Sequence, residues 1–493
     1  MRDERRWGEE EPSQREWQAR QQDEGVDVAV EGGHEFEVDL TDLAYGGDAV
    51  GRYEGRAVFV PGGLPGERVR ARMTRERANY ARAELLDVIN ASPDRVEPRF
   101  PDLSDSGGFQ WQHIAYPAQT RWKTNIVRQL LMRIGKFTDP PMRETLGMPD
   151  DANVWRYRTV AQFAIGSDGA IGFRKAESHE VLDMEECPIV HQNLDTVYRA
   201  VREWIKSHWG ARAHEYTERF TLRVAVGAPG EKSSGALAIA GGHSYRGSGG
   251  ALLAIEARPG APFDLEGGAD TIATAIRMDV PGLAGVVILG LPVGRGRVIA
   301  GQDFVHDNVL NRVFRISAGS FFQVNPSQTP VLVDHALEAL RPQSRDVALD
   351  GYSGAGLFSL FLAPHVEHVL AIESQPSAVA DARESARLND VHNVTSHEGV
   401  LERVIGVMRR QRERIDIALV DPPRSGCLPR ALNELTAIGP RTLVYVSCDP
   451  STLARDLRLV CDSGYQLSSV QPVDMFPYTS HIETIATCER IVL

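Results

Sequence analysis

Residues near the C-terminal end of this chain have types and spacing suited to covalent chemistry. In LVYVSCDP, residues 443–450, an apolar run ends on Cys448. By residue type alone such a thiol is a small core hydrophobe. Its place argues otherwise, because Asp449 and Pro450 end the strand and a helix starts at Ser451 or Thr452. A thiol beside a helix N-terminus is expected to have a lowered pKa and to supply thiolate at neutral pH. In DMFPYTSHIETIA, Glu483 stands near His481 at the start of a final strand, where it is either an exposed acid or a general base.

A second group suits a nucleoside. VALDGYSGAG, residues 347–356, is a strand running into a DxxxGxG turn, with Tyr352 inside the turn and LFSLFLA opening the next helix. Gly354 and Gly356 let ligand atoms lie against backbone that a Cβ would block. The third glycine of a dinucleotide fingerprint would fall at Ser359, so the spacing suits a nucleoside better. Seventeen residues beyond Gly356, the strand HVLAIE ends on Glu373, an acid placed to accept bonds from ribose hydroxyls. These features together point to S-adenosylmethionine. In ALVDPPRSG, Asp421 closes an apolar strand and Pro422 and Pro423 stiffen the loop that follows, with Arg424 as its fourth residue. Arg424 is open to a plainer reading as the partner of a surface acid.

A methyl donor and a thiolate belong together when the acceptor carbon is a poor nucleophile. Carbon 5 of uracil is such a centre, and thiolate addition at carbon 6 converts the ring to an enolate that attacks from carbon 5. A base must then remove the carbon 5 proton so that the thiolate can leave.

The elements that would hold these residues follow from periodicity. After Pro330, helices at 330–340, 355–363 and 376–389 alternate with strands at 346–350, 368–373, 415–420 and 442–447, which predicts a doubly wound α/β sheet. Residues 138–318 read as strands separated by Gly-rich turns, with a helix near 190–208 and a loop at 241–250, and this predicts a central α+β domain that also takes in 93–112. Residues 113–137 carry Ile126, Leu130, Leu131 and Ile134 at helical spacing. Residues 34–92 alternate in short runs around Tyr45-Gly46-Gly47 and Pro61-Gly62-Gly63, as a small β-barrel would. Residues 1–33 are charged and nearly free of large apolar groups, and are expected to be a disordered tail.

Composition limits the alternatives. The chain has 493 residues, 42% apolar and 25% charged, enough for several cored domains. No apolar run reaches the roughly 18 residues of a membrane helix, and no secretory signal is present, so a cytoplasmic protein without a membrane partner is expected. Five cysteines without a CxxC pair indicate neither a disulfide framework nor a zinc site, and no metal is expected. A net charge of −13 is wrong for a protein that coats nucleic acid, but Arg68, Arg70, Arg72, Arg75, Arg77 and Arg82 form a local basic patch with only Glu76 among them. That patch is the candidate phosphate-binding surface, or else a solvated face.

The ordered set SFFQVNP (320–326), LDGYSGAGLFSL, Glu373, DPPRSG, YVSCDPSTLARDL (445–457) and MFPYTSHIE (475–483) resembles the S-adenosylmethionine-dependent RNA uridine-5 methyltransferases, over about residues 35–493. PGGLPGERVRARM similarly resembles a TRAM domain, an OB-like RNA-binding module. The resemblance implies a Rossmann-like catalytic domain made of 113–137 and 319–493. It makes Cys448 the nucleophile and Glu483 the base, and it places Gln323, Tyr352, Gly354, Gly356, Glu373 and Asp421 around the cofactor or the target base. Leu357 stands where relatives often have Asn, which removes one side-chain hydrogen bond. Relatives that hold a 4Fe-4S cluster do so through C-x5-C-x2-C and a later cysteine. Here those positions are Phe100, Ser106, Phe109 and the surviving Cys187, so no cluster is expected, with an apolar contact in its place. Arg424 stands where the D-A-P-C-S-G loop of cytosine-5 enzymes has a second thiol, which disfavours cytosine. A non-catalytic RNA-binding factor would not need Cys448, Glu483 and Glu373. The barrel and full central domain favour 23S rRNA over the tRNA T-loop as target, acted on by a monomer.

Overall fold

The computed structural model describes residues 28–29, 33–149, 154–176, 178–226, 237–238, 244–245, 250–263, 268–291 and 298–491. Two compact units divide the chain, Met1–Arg95 and Val96–Leu493.

In the first unit, β1 (Val28–Ala29), β2 (Glu35–Leu43), β3 (Ala49–Tyr53), β4 (Arg56–Val60), β5 (Arg68–Glu76) and β6 (Tyr80–Asn90) form one sheet. It closes because β6 pairs both with β5, antiparallel, and with β4, parallel. Strand alternation sends Phe36, Val38, Leu40, Val69, Ala71 and Met73 into the core and leaves Arg68, Arg70 and Arg72 outside. Buried Glu67 ties the closing loops together: it accepts from the Leu64 and Ser92 amides and from Arg95, which offset its burial and keep its pKa low. The expected tail loses two residues to the sheet, since Val28 and Ala29 pair with Glu76 and Arg75; residues 1–27 lie outside the described ones.

The second unit contains two seven-stranded sheets. The first is built from β7 (Val160–Ile165), β8 (Ile171–Arg174), β9 (Val181–Asp183), β10 (Thr217–Val224), β13 (Ala251–Ala257), β14 (Leu283–Leu289) and β15 (Val298–Gly301), with a small hairpin of β11 (Leu237–Ala238) and β12 (Ser244–Tyr245) between β10 and β13 in the chain. That hairpin places two strand residues in the stretch expected to be loop, most of which lies outside the described residues. Pairing is antiparallel except for β13 with β14. These two strands are apolar on both faces. Leu253 and Val286 join the core formed with the helix Ala269–Asp279, whereas Leu252 and Val287 join Phe314 and Leu332 in the core of the second sheet. Strands buried on both sides lose the polar alternation of a half-exposed sheet.

A hairpin of β16 (Phe304–Val309) and β17 (Arg312–Ser317) leads into the second sheet. Its strands are β18 (Val347–Gly351), β19 (His368–Glu373), β20 (Val394–Glu398), β21 (Ile417–Val420), β22 (Thr442–Ser447), β23 (Tyr465–Val473) and β24 (Glu483–Arg490), in spatial order β20-β19-β18-β21-β22-β24-β23. The first five are parallel, and β24 runs antiparallel between β22 and β23. This is the Rossmann-like sheet expected from alternating strands and helices. Its order reverses between β18 and β21, which opens a crevice at their carboxyl ends. A helix at Tyr116–Arg133, here α1, lies against the helix Pro450–Asp462, here α2, and against β23. Among the described residues no helix is long and apolar enough to cross a membrane.

Candidate active site

Chain reversal in the second sheet brings the two reactive groups together. Thr484 of β24 pairs with Ser447 of β22, so Cys448 and Glu483, the next residues along the two strands, become neighbours across the ladder. Asp421 follows β21, whose Val420 pairs with Tyr445 of β22, and the Asp421 amide donates to Gly351 O at 3.1 Å. The same strand ends therefore collect Cys448, Glu483 and Asp421.

The glycine turn lies on the other side of the switch point. Tyr352, Gly354 and Gly356 have φ of 61°, 53° and 87°, left-handed values that favour glycine. Apart from its chain neighbours, no atom lies within 4 Å of where a Gly354 Cβ would stand, so the turn faces open space. Glu373, at the end of β19, accepts from the Gly354 amide at 3.0 Å and from the Gln375 amide at 2.8 Å, which aim its carboxylate at that turn. Gln323 is 7% exposed.

The electrostatics reverse one expectation. Burial pushes the Cys448 thiol up to about 12, with Glu483 and Asp421 adding to the rise and Arg424 opposing it. The helix N-terminus does not lower it, because Asp449 caps α2 and accepts from the Ser451 and Thr452 amides at 2.9 Å. The helix end thus already faces a carboxylate. Burial, then Asp421, holds Glu483 well above the usual carboxylate range, against Arg424. Asp421 itself rises to about 7 through burial and the nearby Asp350. Burial also lowers His481 to about 4, aided by Arg424. At neutral pH the resting crevice therefore contains a thiol and a neutral His481, and Glu483 is biased toward its protonated form.

One helix face supports the Asp421–Gly426 loop, and the sequence reading missed it. Thr452 donates to Arg424 O at 3.1 Å and Arg455 to Ser425 O at 3.0 Å, while Asp456 accepts from the Cys427 amide at 2.8 Å and the Tyr445 hydroxyl at 2.6 Å. The signal was present as Thr452, Arg455 and Asp456 at i, i+3 and i+4 of an amphipathic helix. Asp350 was also missed as a site residue. It is fully buried, takes a 2.5 Å bond from Ser359, and is raised to about 7 by burial.

The arginine patch is less bare than its sequence suggests. Arg68 pairs with Glu37 at 2.9 Å, Arg70 with Asp87 at 3.7 Å, Arg72 with Glu35 at 3.0 Å and Arg82 with Asp48 at 3.1 Å. Arg77 lies 5.6 Å from the Tyr80 ring centroid, and Arg75 sits on β5 with Arg68, Arg70 and Arg72. Neighbouring strands supply acids that linear spacing cannot show. Exposed pairs of this kind contribute only about 0–1 kcal/mol and exchange readily for other anions.

At the positions where a cluster could sit, Phe109 and Cys187 share one buried apolar core, and the Cys187 amide donates to Asp195 at 2.8 Å. Burial raises the Cys187 thiol to about 12. The Ser106 hydroxyl is buried without a hydrogen-bond partner among the described residues. No group of three or more His, Cys, Asp or Glu able to hold a metal ion occurs among them.

The family described as tRNA (Uracil-5-)-methyltransferase matches residues 285–491, and the TRAM domain matches residues 29–86. An uncharacterized RNA methyltransferase of Halalkalibacterium halodurans is 38% identical over 467 residues, covering 92% of this chain and 96% of its own. One of Caldanaerobacter subterraneus subsp. tengcongensis is 35% identical over 472 residues, covering 93% and 99%. The fold is similar to that of the Pyrococcus abyssi tRNA (uracil-54, C5)-methyltransferase solved with S-adenosyl-L-homocysteine, at a TM-score of 0.66 and 22% identity over 92% of this chain and 99% of that one. The chain belongs to the tRNA (uracil-5-)-methyltransferase family of S-adenosylmethionine-dependent RNA methyltransferases and carries a TRAM domain.

Proposed function

We propose that the protein methylates carbon 5 of a uridine in 23S rRNA, with Cys448 as nucleophile and Glu483 as base. The observation that carries this reading is the β22–β24 register, which makes a thiol and a buried carboxylate neighbours at the crevice. S-adenosylmethionine supplies the methyl group as a sulfonium. Tyr352, Gly354, Gly356 and Glu373 hold its nucleoside portion, and Gln323 and Asp421 line the space between cofactor and base. Cys448 loses its proton to a crevice carboxylate and bonds to carbon 6, which makes carbon 5 nucleophilic. Glu483, as carboxylate, removes the carbon 5 proton after transfer, and the carbon 6–sulfur bond breaks to restore the ring. Carbon 6 is reached from a ring face, so the uridine leaves its stack. Arg68, Arg70, Arg72, Arg75, Arg77 and Arg82 bind phosphates on the barrel.

The barrel together with a complete central sheet favours rRNA. The family's description and the fold similarity to a tRNA uracil-54 enzyme favour the second reading, a tRNA uridine. Incubation with methyl-labelled S-adenosylmethionine and separate rRNA and tRNA pools, followed by nucleoside analysis, decides between them. Label in 5-methyluridine from rRNA is expected. The same label from tRNA alone moves the target to the second reading, and its absence from both pools in an active preparation overturns the reaction.

The residues present do not fit an iron–sulfur cluster. One thiolate remains of four ligands, and fully buried Phe109 packs in the core that contains it. Protein purified without oxygen is expected to carry no stoichiometric iron or sulfide; one cluster per chain would refute this.

A further inference from the structure

The connection between β23 and β24, residues 474–482, delivers Glu483 to the crevice. Side chains from distant parts of the sequence hold its backbone. Asn325 donates to Met475 O at 3.0 Å, Gln328 to Asp474 O at 3.1 Å and Tyr157 to Pro477 O at 3.3 Å. Gln119 of α1 accepts from the Tyr478 amide at 2.9 Å.

One of these anchors is charged. Lys123 of α1 places Nζ 2.5 Å from Asp474 Oδ1 and 3.0 Å from Phe476 O, and both charged side chains are 0% exposed. Asp474 Oδ1 also accepts from the Phe476 amide at 3.2 Å, and the Trp111 ring centroid lies 5.6 Å from the ammonium. Asp474 Oδ2 has no hydrogen-bond partner among the described residues.

Stability alone does not account for such a pair. Desolvation of two charges in a dry interior consumes most of their attraction, and apolar side chains of similar volume hold a core equally well. The pair does supply direction. It fixes the Asp474 carboxylate and the carbonyl and amide of Phe476 at once, in the stretch that begins directly after Val473, and Val473 is the ladder partner of Glu483.

We infer that Lys123, through Asp474 and Phe476 O, is a positioning residue that sets where the Glu483 carboxylate stands over the reacting ring. This rests on Glu483 being the base proposed above. A displaced base leaves Cys448 and the glycine turn intact, so addition and methyl transfer continue while proton removal slows.

The test uses the full chain, its substrate RNA and methyl-labelled S-adenosylmethionine. It compares the parent, Glu483→Gln, Lys123→Met, and Lys123→Met combined with Asp474→Asn. The single lysine variant leaves an uncompensated buried carboxylate and is expected to melt at lower temperature; the double variant removes both charges and keeps the fold. For the folded double variant, turnover is expected to fall roughly 100-fold, with KM for S-adenosylmethionine within about twofold of the parent. The fraction of protein found as methylated covalent RNA adduct on a denaturing gel should rise toward that of Glu483→Gln. Parental turnover in the folded double variant overturns the inference. So does lost turnover without adduct when Glu483→Gln accumulates it. If Glu483→Gln itself forms no adduct, the assignment of the base falls, and the inference falls with it.

Discussion

Cys448→Ala is expected to abolish methylation, with turnover reduced by at least about 10^4-fold and the melting temperature little changed. Without the thiolate adduct, carbon 5 is left as a weakly nucleophilic alkene carbon, and holding it against a sulfonium does not change that electronic character. Loss of a small, partly buried side chain should cost little stability. Cys461→Ala provides the control. That thiol lies in α2, eleven residues past Pro450 and so roughly 17 Å along the helix, and its replacement should leave turnover near the parental value. The pH profile carries the same chemistry. With the Cys448 thiol near 12 and Asp421 near 7, a carboxylate free to accept the thiol proton becomes more abundant as pH rises through 7. kcat/KM is therefore expected to rise between pH 6 and 8. Parental turnover in Cys448→Ala would remove the nucleophile from the mechanism.

Glu483→Gln is expected to stop the reaction later. Burial and Asp421 raise the Glu483 pKa, and glutamine is a near-isosteric, uncharged replacement for that buried side chain. The variant should therefore accept cofactor and RNA, form the carbon 6 bond and transfer the methyl group. What it lacks is the carboxylate proposed to take the carbon 5 proton, so the thiolate is expected to stay attached. A labelled protein–RNA species surviving denaturation, close to one per enzyme, is the expected readout, with multiple turnover lost. In the parent, the elimination step should quicken as pH rises, since only the ionised fraction of Glu483 is a base. Free 5-methyluridine product from Glu483→Gln at the parental rate would transfer the base role to another group.

Much of the catalytic sheet was legible because its parallel strands are short apolar runs such as VALD and LVYV, separated by helices with apolar faces. Elements lacking that contrast were not foreseen. Val394–Glu398 reads VTSHE, with no apolar alternation, and Tyr465–Val473 contains Pro472. The helices Leu401–Gln411 and Pro429–Ile438 lie in stretches dense with Arg and Glu or flanked by Pro and Gly, which reads locally as loop. Their helical form depends on burying one apolar face, Leu401, Ile405 and Met408 in the first and Ala431, Leu432 and Leu435 in the second.

The sequence by itself determined which groups are available: one thiol at a strand end, an acid after MFPYTSHI, glycines where a nucleoside needs bare backbone, and three missing ligands of a cluster. Those are properties of residue type and short spacing, set by side-chain chemistry and backbone sterics. Only the tertiary structure decided that Cys448 and Glu483 are neighbours, because β24 enters between β22 and β23 in the reverse direction. It also decided the sign of the thiol's shift, since burial and converging carboxylates outweigh a helix end that Asp449 already caps. It brought Lys123 to Asp474 from 351 residues away. Ladder register, desolvation and buried pairing depend on which residues from distant segments share one place, and no local pattern in a chain encodes that.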